Sequence, residues 1–365
     1  MAFRIPFNKP CVVGSELDYV QQAIANGHAS GDGPFTRSVQ NFIEDQFGAR
    51  RALLTTSCTA ALELGALLCD LEPGDEVILP SYTFVSTANA AVLRGAKPVF
   101  VDINTRDYTI DLLDLKAKIT QKSKAIIPVH LYGHPSDMGE IAEIAAANSL
   151  EIIEDACQSL GSTYRQIQTG TIGKIGCFSF YASKVLTSGE GGAISTKDEK
   201  LAATAKMIRN HGMVEGNDTR RLGLNLRLPE LSAALASAQM NRLQTLLDLR
   251  RKNSKTLTEL LSSLEGNINI PLEGDQKKFN WYLYTVAFDK ERTRDKIRDS
   301  LINKEIGATV YYNPPVHKTP YYKNAYPVEL SNTDWAASHV LSLPVHPHLT
   351  EEDMKLIVSC IRKEI

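Results

Sequence analysis

The run Phe178-Ser-Phe-Tyr-Ala-Ser-Lys-Val-Leu-Thr-Ser-Gly-Glu-Gly-Gly192 sets one lysine, Lys184, between an apolar, aromatic strand pattern and a glycine-dense loop. A lysine amine is a useful nucleophile only where its surroundings hold it near a carbonyl and lower its pKa. Taken alone, a lysine after a strand reads as a surface residue. Asp155 changes that reading, because it ends a second apolar run, Leu150-Glu-Ile-Ile-Glu-Asp155. In open α/β sheets ligands bind outside the carboxyl ends of the strands. A carboxylate and a lysine are therefore expected at one sheet edge.

Short runs that are apolar on both faces surround these two: Glu76–Leu79, Pro98–Val101, Ala125–Val129, Glu151–Glu154, Gly176–Phe180 and Gly192–Ser195. That pattern predicts strands buried in a parallel or mixed sheet. Helical patterns alternate with them. One starts at Asp137, with Glu140 completing a capping box and Met138, Ile141, Ile144 and Ala145 forming the apolar face. The alternation predicts a three-layer, doubly wound α/β domain around a mixed sheet. From Pro229 an Ala/Leu-rich helical pattern runs to about Leu264, with the proline in its first turn. The remainder reads as a small α+β domain, with a strand over Trp281–Phe288, a helix over Arg292–Lys304 and an amphipathic helix over Thr350–Lys363. The expected division is residues 1–245, including an N-terminal arm, and 246–365.

A chain of 365 residues, 43% hydrophobic and 22% charged, can bury a sizeable core. Its net charge of −2 gives no electrostatic footprint for nucleic acid or for a membrane surface. No signal-peptide pattern and no run of membrane-spanning length occurs, so a cytoplasmic protein is expected. The six cysteines at 11, 58, 69, 157, 177 and 360 form no C-x-x-C pair and no metal-ligand spacing. Reduced thiols and no bound metal are the expectation.

A buried carboxylate such as Asp155 needs a partner, and a protonated pyridine nitrogen is one. Otherwise Asp155 caps the next helix. Gln158 is placed to reach a hydroxyl on the same ring, or else faces solvent. Ser57-Cys-Thr-Ala-Ala-Leu62 opens an apolar helix whose free N–H groups suit a phosphate, though Ser57 alone reads as an N-cap. Ser179 adds a hydroxyl at the same edge. Phe84 is an aromatic beside a strand end that can stack on a flat ring, and otherwise packs in the core. Lysine, aspartate, phosphate cup and stacking aromatic describe, as an ordered set, a site for pyridoxal 5'-phosphate.

These segments resemble the DegT/StrS family of pyridoxal phosphate-dependent sugar-nucleotide aminotransferases, of fold type I. The similarity runs through Gly31-Asp-Gly-Pro34, Thr56–Leu62, Pro73–Thr87, Gly95–Asp102, Ala125–Gly133, Glu154-Asp-Ala-Cys-Gln158, Phe178–Gly192, Gly223–Ala234 and Leu341–Pro347. The resemblance implies that Lys184 forms the Schiff base with the cofactor and shuttles a proton. It implies that Asp155 pairs with the pyridine nitrogen and that Gln158 lies near the ring hydroxyl. Cys58, Thr59 and Ser179 hold the phosphate, and Phe84 stacks on the ring. Asn225 reaches the phosphate of a neighbouring subunit, which makes a homodimer with composite sites. Tyr312 and His317 contact the sugar nucleotide, with His211 a further candidate that alternatively caps its helix. Cys157, Leu224 and Leu226 depart from the usual alanine and tyrosines. A branch of the family that acts as a dehydratase lacks the lysine, so Lys184 places this chain with the transaminases.

The implied reaction moves an amino group from L-glutamate to the C4 keto group of a nucleotide-linked 4-keto-6-deoxyhexose, in amino-sugar and polysaccharide biosynthesis. Lys184 is the general base, with its pKa brought down toward neutrality by the adjacent cationic cofactor and a desolvated pocket. Gly189-Glu-Gly-Gly192 and Thr171–Phe180 resemble C4-aminating members; amination at C3 is the alternative. A non-catalytic, DNA-binding regulator would need a basic recognition surface that is missing from the sequence. An amino-acid transaminase would need an arginine clamp for the substrate carboxylate, and no spacing points to one.

Overall fold

The six short apolar runs can hide both faces only inside a sheet covered by helices, and that is where they lie. The computed structural model describes residues 3–264, 266–290 and 293–365. Its main sheet comprises β1 (Arg51–Thr55), β2 (Glu76–Pro80), β3 (Lys97–Val101), β4 (Ser123–Ile126), β5 (Glu151–Asp155), β6 (Ile175–Ser179) and β7 (Gly192–Thr196), in the order β1-β7-β6-β5-β4-β2-β3. Strands β3, β2, β4, β5 and β6 are parallel, and β7 runs antiparallel to both of its neighbours. β1 therefore points the same way as β5 and β6, and their carboxyl ends share one edge. All six expected strands are present. β1 is the addition: Arg51-Ala-Leu-Leu-Thr55 opens on a charged residue, and its extended form comes from pairing residue for residue with β7.

Four helices position that edge: α1 (Glu16–Ala25), α2 (Pro34–Phe47), α3 (Cys58–Leu68) and α4 (Val85–Val92). α3 is apolar almost all round, as a helix buried on a sheet must be, and it packs with Ile153, Ile175 and Cys177 of β5 and β6. Gly192 lets its N-terminus come this close. A Cβ on Gly192 would sit 2.5 Å from the Ser57 carbonyl carbon, 2.6 Å from the Cys58 nitrogen and 2.7 Å from the Phe178 oxygen. At the start of α2, the buried Glu230 carboxylate accepts the N–H groups of Gly33, Phe35 and Thr36 at 2.9–3.0 Å, and also the Thr36 hydroxyl. Two separated motifs, Gly31–Pro34 and Pro229-Glu230, thus serve one helix terminus.

Three local expectations fail for identifiable reasons. The helix at Asp137 forms over Met138–Ala147 with the expected buried face, but without the capping box. The Asp137 carboxylate is drawn instead to Lys277 at 2.9 Å, and Glu140 accepts the Tyr164 hydroxyl at 3.2 Å. The long helix after Pro229 is two, Glu230–Met240 and Leu243–Leu261. It breaks where Asn241 donates to the Tyr19 hydroxyl and Arg242 pairs with the buried Glu16 of α1. The expected strand at Trp281 begins only at Tyr284, because Trp281 takes a left-handed φ of 54°.

That later strand, Tyr284–Phe288, lies at the centre of a three-stranded antiparallel sheet between Ile268–Asn269 and Val340–Leu343. The helices Thr293–Asn303 and Glu351–Arg362 contribute Ile297, Leu301, Ile357 and Ile361 to the core that this sheet shares. Arg292, the expected first residue of the former, lies outside the described residues. Thr350 does form a capping box with Asp353. Among the described residues no helix is long and apolar enough to cross a membrane.

Replacing Gly192 by alanine forces backbone apart where no flexible side chain can yield. Gly192→Ala is expected to lower the unfolding free energy by roughly 1–3 kcal/mol, as read by urea denaturation. An unchanged midpoint would show that α3 and β7 separate freely.

Candidate active site

The carboxyl ends of β1, β5 and β6 open into a cavity of about 650 Å³, within the size range of small-molecule sites. Asp155 stands at its floor, 2% exposed. One carboxylate oxygen accepts the Thr87 hydroxyl at 2.7 Å and the other accepts the Cys157 N–H at 3.2 Å. Thr87 belongs to α4, and its hydroxyl is also hydrogen-bonded to Thr83 Oγ1 at 2.8 Å. No lysine, arginine or histidine pairs with Asp155 among the described residues. A carboxylate so placed retains a large cost of desolvation and has room in the cavity for a cationic hydrogen-bond donor.

Lys184 enters from the β6–β7 connection. The neck of that connection is closed by Phe180 N–H to the Gly191 carbonyl at 2.9 Å and by Ser188 N–H to the Phe180 carbonyl at 2.8 Å. A turn from Lys184 N–H to the Tyr181 carbonyl at 2.9 Å sends the side chain inward. Lys184 Nζ donates to the Tyr282 hydroxyl at 3.4 Å and lies 4.4 Å from that ring's centroid. Burial opposes the ammonium, while the Tyr282 hydroxyl and the Cys157 and Cys58 thiols favour it, and the balance lies above the ordinary lysine value. The expected fall toward neutrality is therefore not supplied by the chain's own residues; it requires a bound cation in the cavity.

Ser57 caps α3 by accepting the Ala60 N–H at 3.1 Å. The N–H groups of Cys58 and Thr59 have no acceptor among the described residues and line the cavity, as does Ser179. Thr59 is fixed by a 2.8 Å hydrogen bond to Ser86. Two free amides with neighbouring hydroxyls at a helix N-terminus are suited to a phosphate. Phe84, 54% exposed at the start of α4, presents an uncovered ring beside the cavity, with Tyr312 at 6.4 Å between centroids. A flat cationic ring with a phosphate and an aldehyde fits this donor set part for part.

Other expected residues are placed differently. Gln158 is buried, with Oε1 accepting the Tyr132 N–H at 2.7 Å and Nε2 donating to the Tyr312 hydroxyl at 3.0 Å. It supports Tyr312, which lines the cavity, and does not line the cavity itself. His317 lies behind the wall, 1% exposed, with Nδ1 2.7 Å from the Ser81 hydroxyl and Nε2 3.3 Å from Asp334. Burial holds it below the usual histidine value. His211 and Asn225 are exposed and outside this chain's cavity, on the segment where Asn210 and Asn225 bridge. Thr87, Tyr282 and Tyr311 reach the site without having been singled out in the sequence, and Glu190 of the Gly189–Gly192 segment lines it as well. Thr87 lay inside a recognised segment, whereas Tyr282 carries no local signal.

One more arrangement arises only in space. The Cys58 and Cys157 sulfurs and an Asp155 oxygen lie within 4.8 Å of one another, a donor set that a soft divalent metal could use. The adjoining Cys157 thiol and burial push the Cys58 thiol well above its usual value. That opposes the thiolate metal binding requires.

The family described as the DegT/DnrJ/EryC1/StrS aminotransferases matches residues 10–362. The GDP-perosamine synthase of Caulobacter vibrioides is 33% identical, over 98% of this chain and 97% of the relative. The UDP-N-acetyl-3-dehydro-alpha-D-glucosamine 3-aminotransferase of Acidithiobacillus ferrooxidans is 34% identical, over 90% of this chain and 88% of the relative. The crystal structure of S. venezuelae DesV superposes with a TM-score of 0.90 at 33% identity, over 96% of this chain and 94% of that one.

Thiol reactivity tests the geometry of the floor. Cys58 is pushed up and Cys69 is raised by burial to about 12, so both hold little thiolate at pH 8. Mass spectrometry after iodoacetamide treatment should show the half-buried Cys157 alkylated roughly tenfold faster than either. Equal rates for Cys58 and Cys157 would contradict the packing described.

Proposed function

The chain belongs to the DegT/DnrJ/EryC1/StrS aminotransferase family, and from that premise we propose a pyridoxal phosphate-dependent sugar aminotransferase. It moves the amino group of L-glutamate to the C4 keto group of a nucleotide-linked 4-keto-6-deoxyhexose, leaving 2-oxoglutarate. The observation that carries the reading is the shared cavity of Lys184 and the buried, cation-less Asp155.

Bound pyridoxal phosphate supplies a protonated, electron-withdrawing ring that stabilises negative charge developing at the substrate carbon. Asp155, oriented by Thr87, keeps the proton on the ring nitrogen. The Cys58 and Thr59 amides, with the Ser179 hydroxyl, take the phosphate. Phe84 and Cys157 confine the ring, while Gln158 acts through Tyr312. Lys184 Nζ takes the proton from the donor's α-carbon and later delivers one to the former keto carbon of the sugar, so its position relative to both carbons sets the rate. Tyr312 and the neighbouring Asn313 face the sugar side of the cavity, and His317 braces that segment from behind through Ser81. Asn225 and His211, exposed here, reach the second site of a homodimer.

The relatives include a GDP-perosamine synthase and a UDP-N-acetyl-3-dehydro-alpha-D-glucosamine 3-aminotransferase, so their names do not decide between C3 and C4. The choice of C4 rests on Gly189-Glu-Gly-Gly192, whose Glu190 lines the cavity. Incubation with glutamate and a panel of nucleotide keto-sugars, read by mass spectrometry, should yield an amino sugar from 4-keto-6-deoxy substrates. Product only from 3-keto sugars would move the assignment to C3.

Asp155→Asn keeps the shape of the floor but removes its charge. The variant is expected to bind the cofactor and lose at least about 10²-fold in kcat/KM, the scale of removing a charge-stabilising group. Retention of full turnover would take Asp155 out of the chemistry.

A further inference from the structure

Tyr282 is the side chain against Lys184 that neither the sequence motifs nor the roles above account for. Its hydroxyl is the hydrogen-bond partner of Lys184 Nζ among the described residues, and its ring face lies under the same nitrogen. Tyr282 is 6% exposed and lines the cavity. We propose that Tyr282 is the positioning residue of the reaction: it holds the Lys184 amine by hydroxyl and ring face together, and so decides where that amine keeps its proton. The proposal rests on Lys184 being the proton carrier of the reading above.

The backbone of Tyr282 is pinned from both directions. Its N–H donates to Asn280 Oδ1 at 2.9 Å, and its carbonyl accepts Arg250 Nη1 at 3.2 Å. Asn280, fully buried, donates through Nδ2 to the carbonyls of Gln158 at 2.8 Å and Leu160 at 3.0 Å. These carbonyls belong to the turn that follows Asp155. The left-handed φ of Trp281 delays the strand, so Tyr282 projects into the site before regular pairing begins at Tyr284. The lysine's partner is thus built onto the loop that carries the aspartate, and the two groups that must act on one ring share a frame.

The hydroxyl has a second neighbour, Ser183 Oγ at 3.3 Å. It can accept from the ammonium, or donate to the free amine when the proton has left. The other titratable groups lining the same cavity are the Cys58 and Cys157 thiols, Asp155, Glu190, Tyr181, Tyr311 and Tyr312, with the Arg250 guanidinium at the Tyr282 carbonyl. Tyr282 is among the groups that hold the lysine above its ordinary value, in agreement with a hydrogen bond that favours the charged amine.

The test compares wild type, Tyr282→Phe, which keeps the ring and loses the hydroxyl, and Tyr282→His, which restores a hydrogen-bonding group. In the cofactor-free proteins, the pH dependence of Lys184 acetylation by acetic anhydride is followed by peptide mass spectrometry. Tyr282→Phe should shift the Lys184 midpoint down by roughly one pH unit, with Tyr282→His part-way back. In the loaded enzymes, Tyr282→Phe should lower kcat by roughly 10–100-fold with KM for the keto-sugar little changed. Identical acetylation profiles in wild type and Tyr282→Phe overturn the proposal, as does a loss expressed only in KM. Should Tyr282→Phe not fold, the same acetylation profile in Tyr282→His decides: a midpoint below wild type supports the hydroxyl's role, and a wild-type midpoint overturns it. Failure of wild type to take up pyridoxal phosphate at Lys184 would sink the functional reading instead, and leaves the cofactor-free titration standing as a separate result.

Discussion

A carboxylate buried at the end of β5, with no lysine, arginine or histidine paired to it among the described residues, is the constraint on which the site depends. Removing Asp155 from water costs several kcal/mol that two hydrogen bonds from neutral donors only partly offset. The neighbouring structure leaves one direction open. Thr87 comes from α4, the Cys157 N–H comes from the next turn, and the open side gives onto the cavity that Lys184 also lines. A stability-driven core would fill such a space with apolar side chains. Retaining it is intelligible when a cationic ring completes the pair.

The rest of the fold can be read as support for that geometry. The strand order sends β1, β5 and β6 to the same edge, so a helix N-terminus, a carboxylate and a serine emerge together. Gly192 allows α3 to approach within backbone contact of β7, which brings its N-terminal residues Cys58 and Thr59 to the cavity. Asn280 links the lysine's tyrosine to the aspartate's loop. Each part is ordinary alone, and the chemistry comes from their shared origin at a rigid sheet edge.

Much of this was legible in the sequence wherever the signal was local. The six apolar runs became strands because burial on both faces demands the composition they have. Lys184, Asp155, Cys58, Thr59, Phe84 and Ser179 could be placed because each follows a strand or opens a helix. What stayed hidden depends on distant partners. β1 is a strand because β7 pairs with it, the Asp137 capping box yields to Lys277, and the helix after Pro229 breaks where α1 captures Asn241 and Arg242. Gln158 and His317 lie one layer behind the cavity, held by Tyr132 and Ser81, which no spacing rule connects to them. Tyr282 lies 98 residues beyond Lys184, on the approach to a different sheet.

The account is tested most directly by treating the purified protein with pyridoxal phosphate, reducing with borohydride and weighing its peptides. A single phosphopyridoxyl group on the peptide carrying Lys184, lost in Lys184→Ala, is the predicted result. Labelling spread over surface lysines, with Lys184 unmodified, would contradict it.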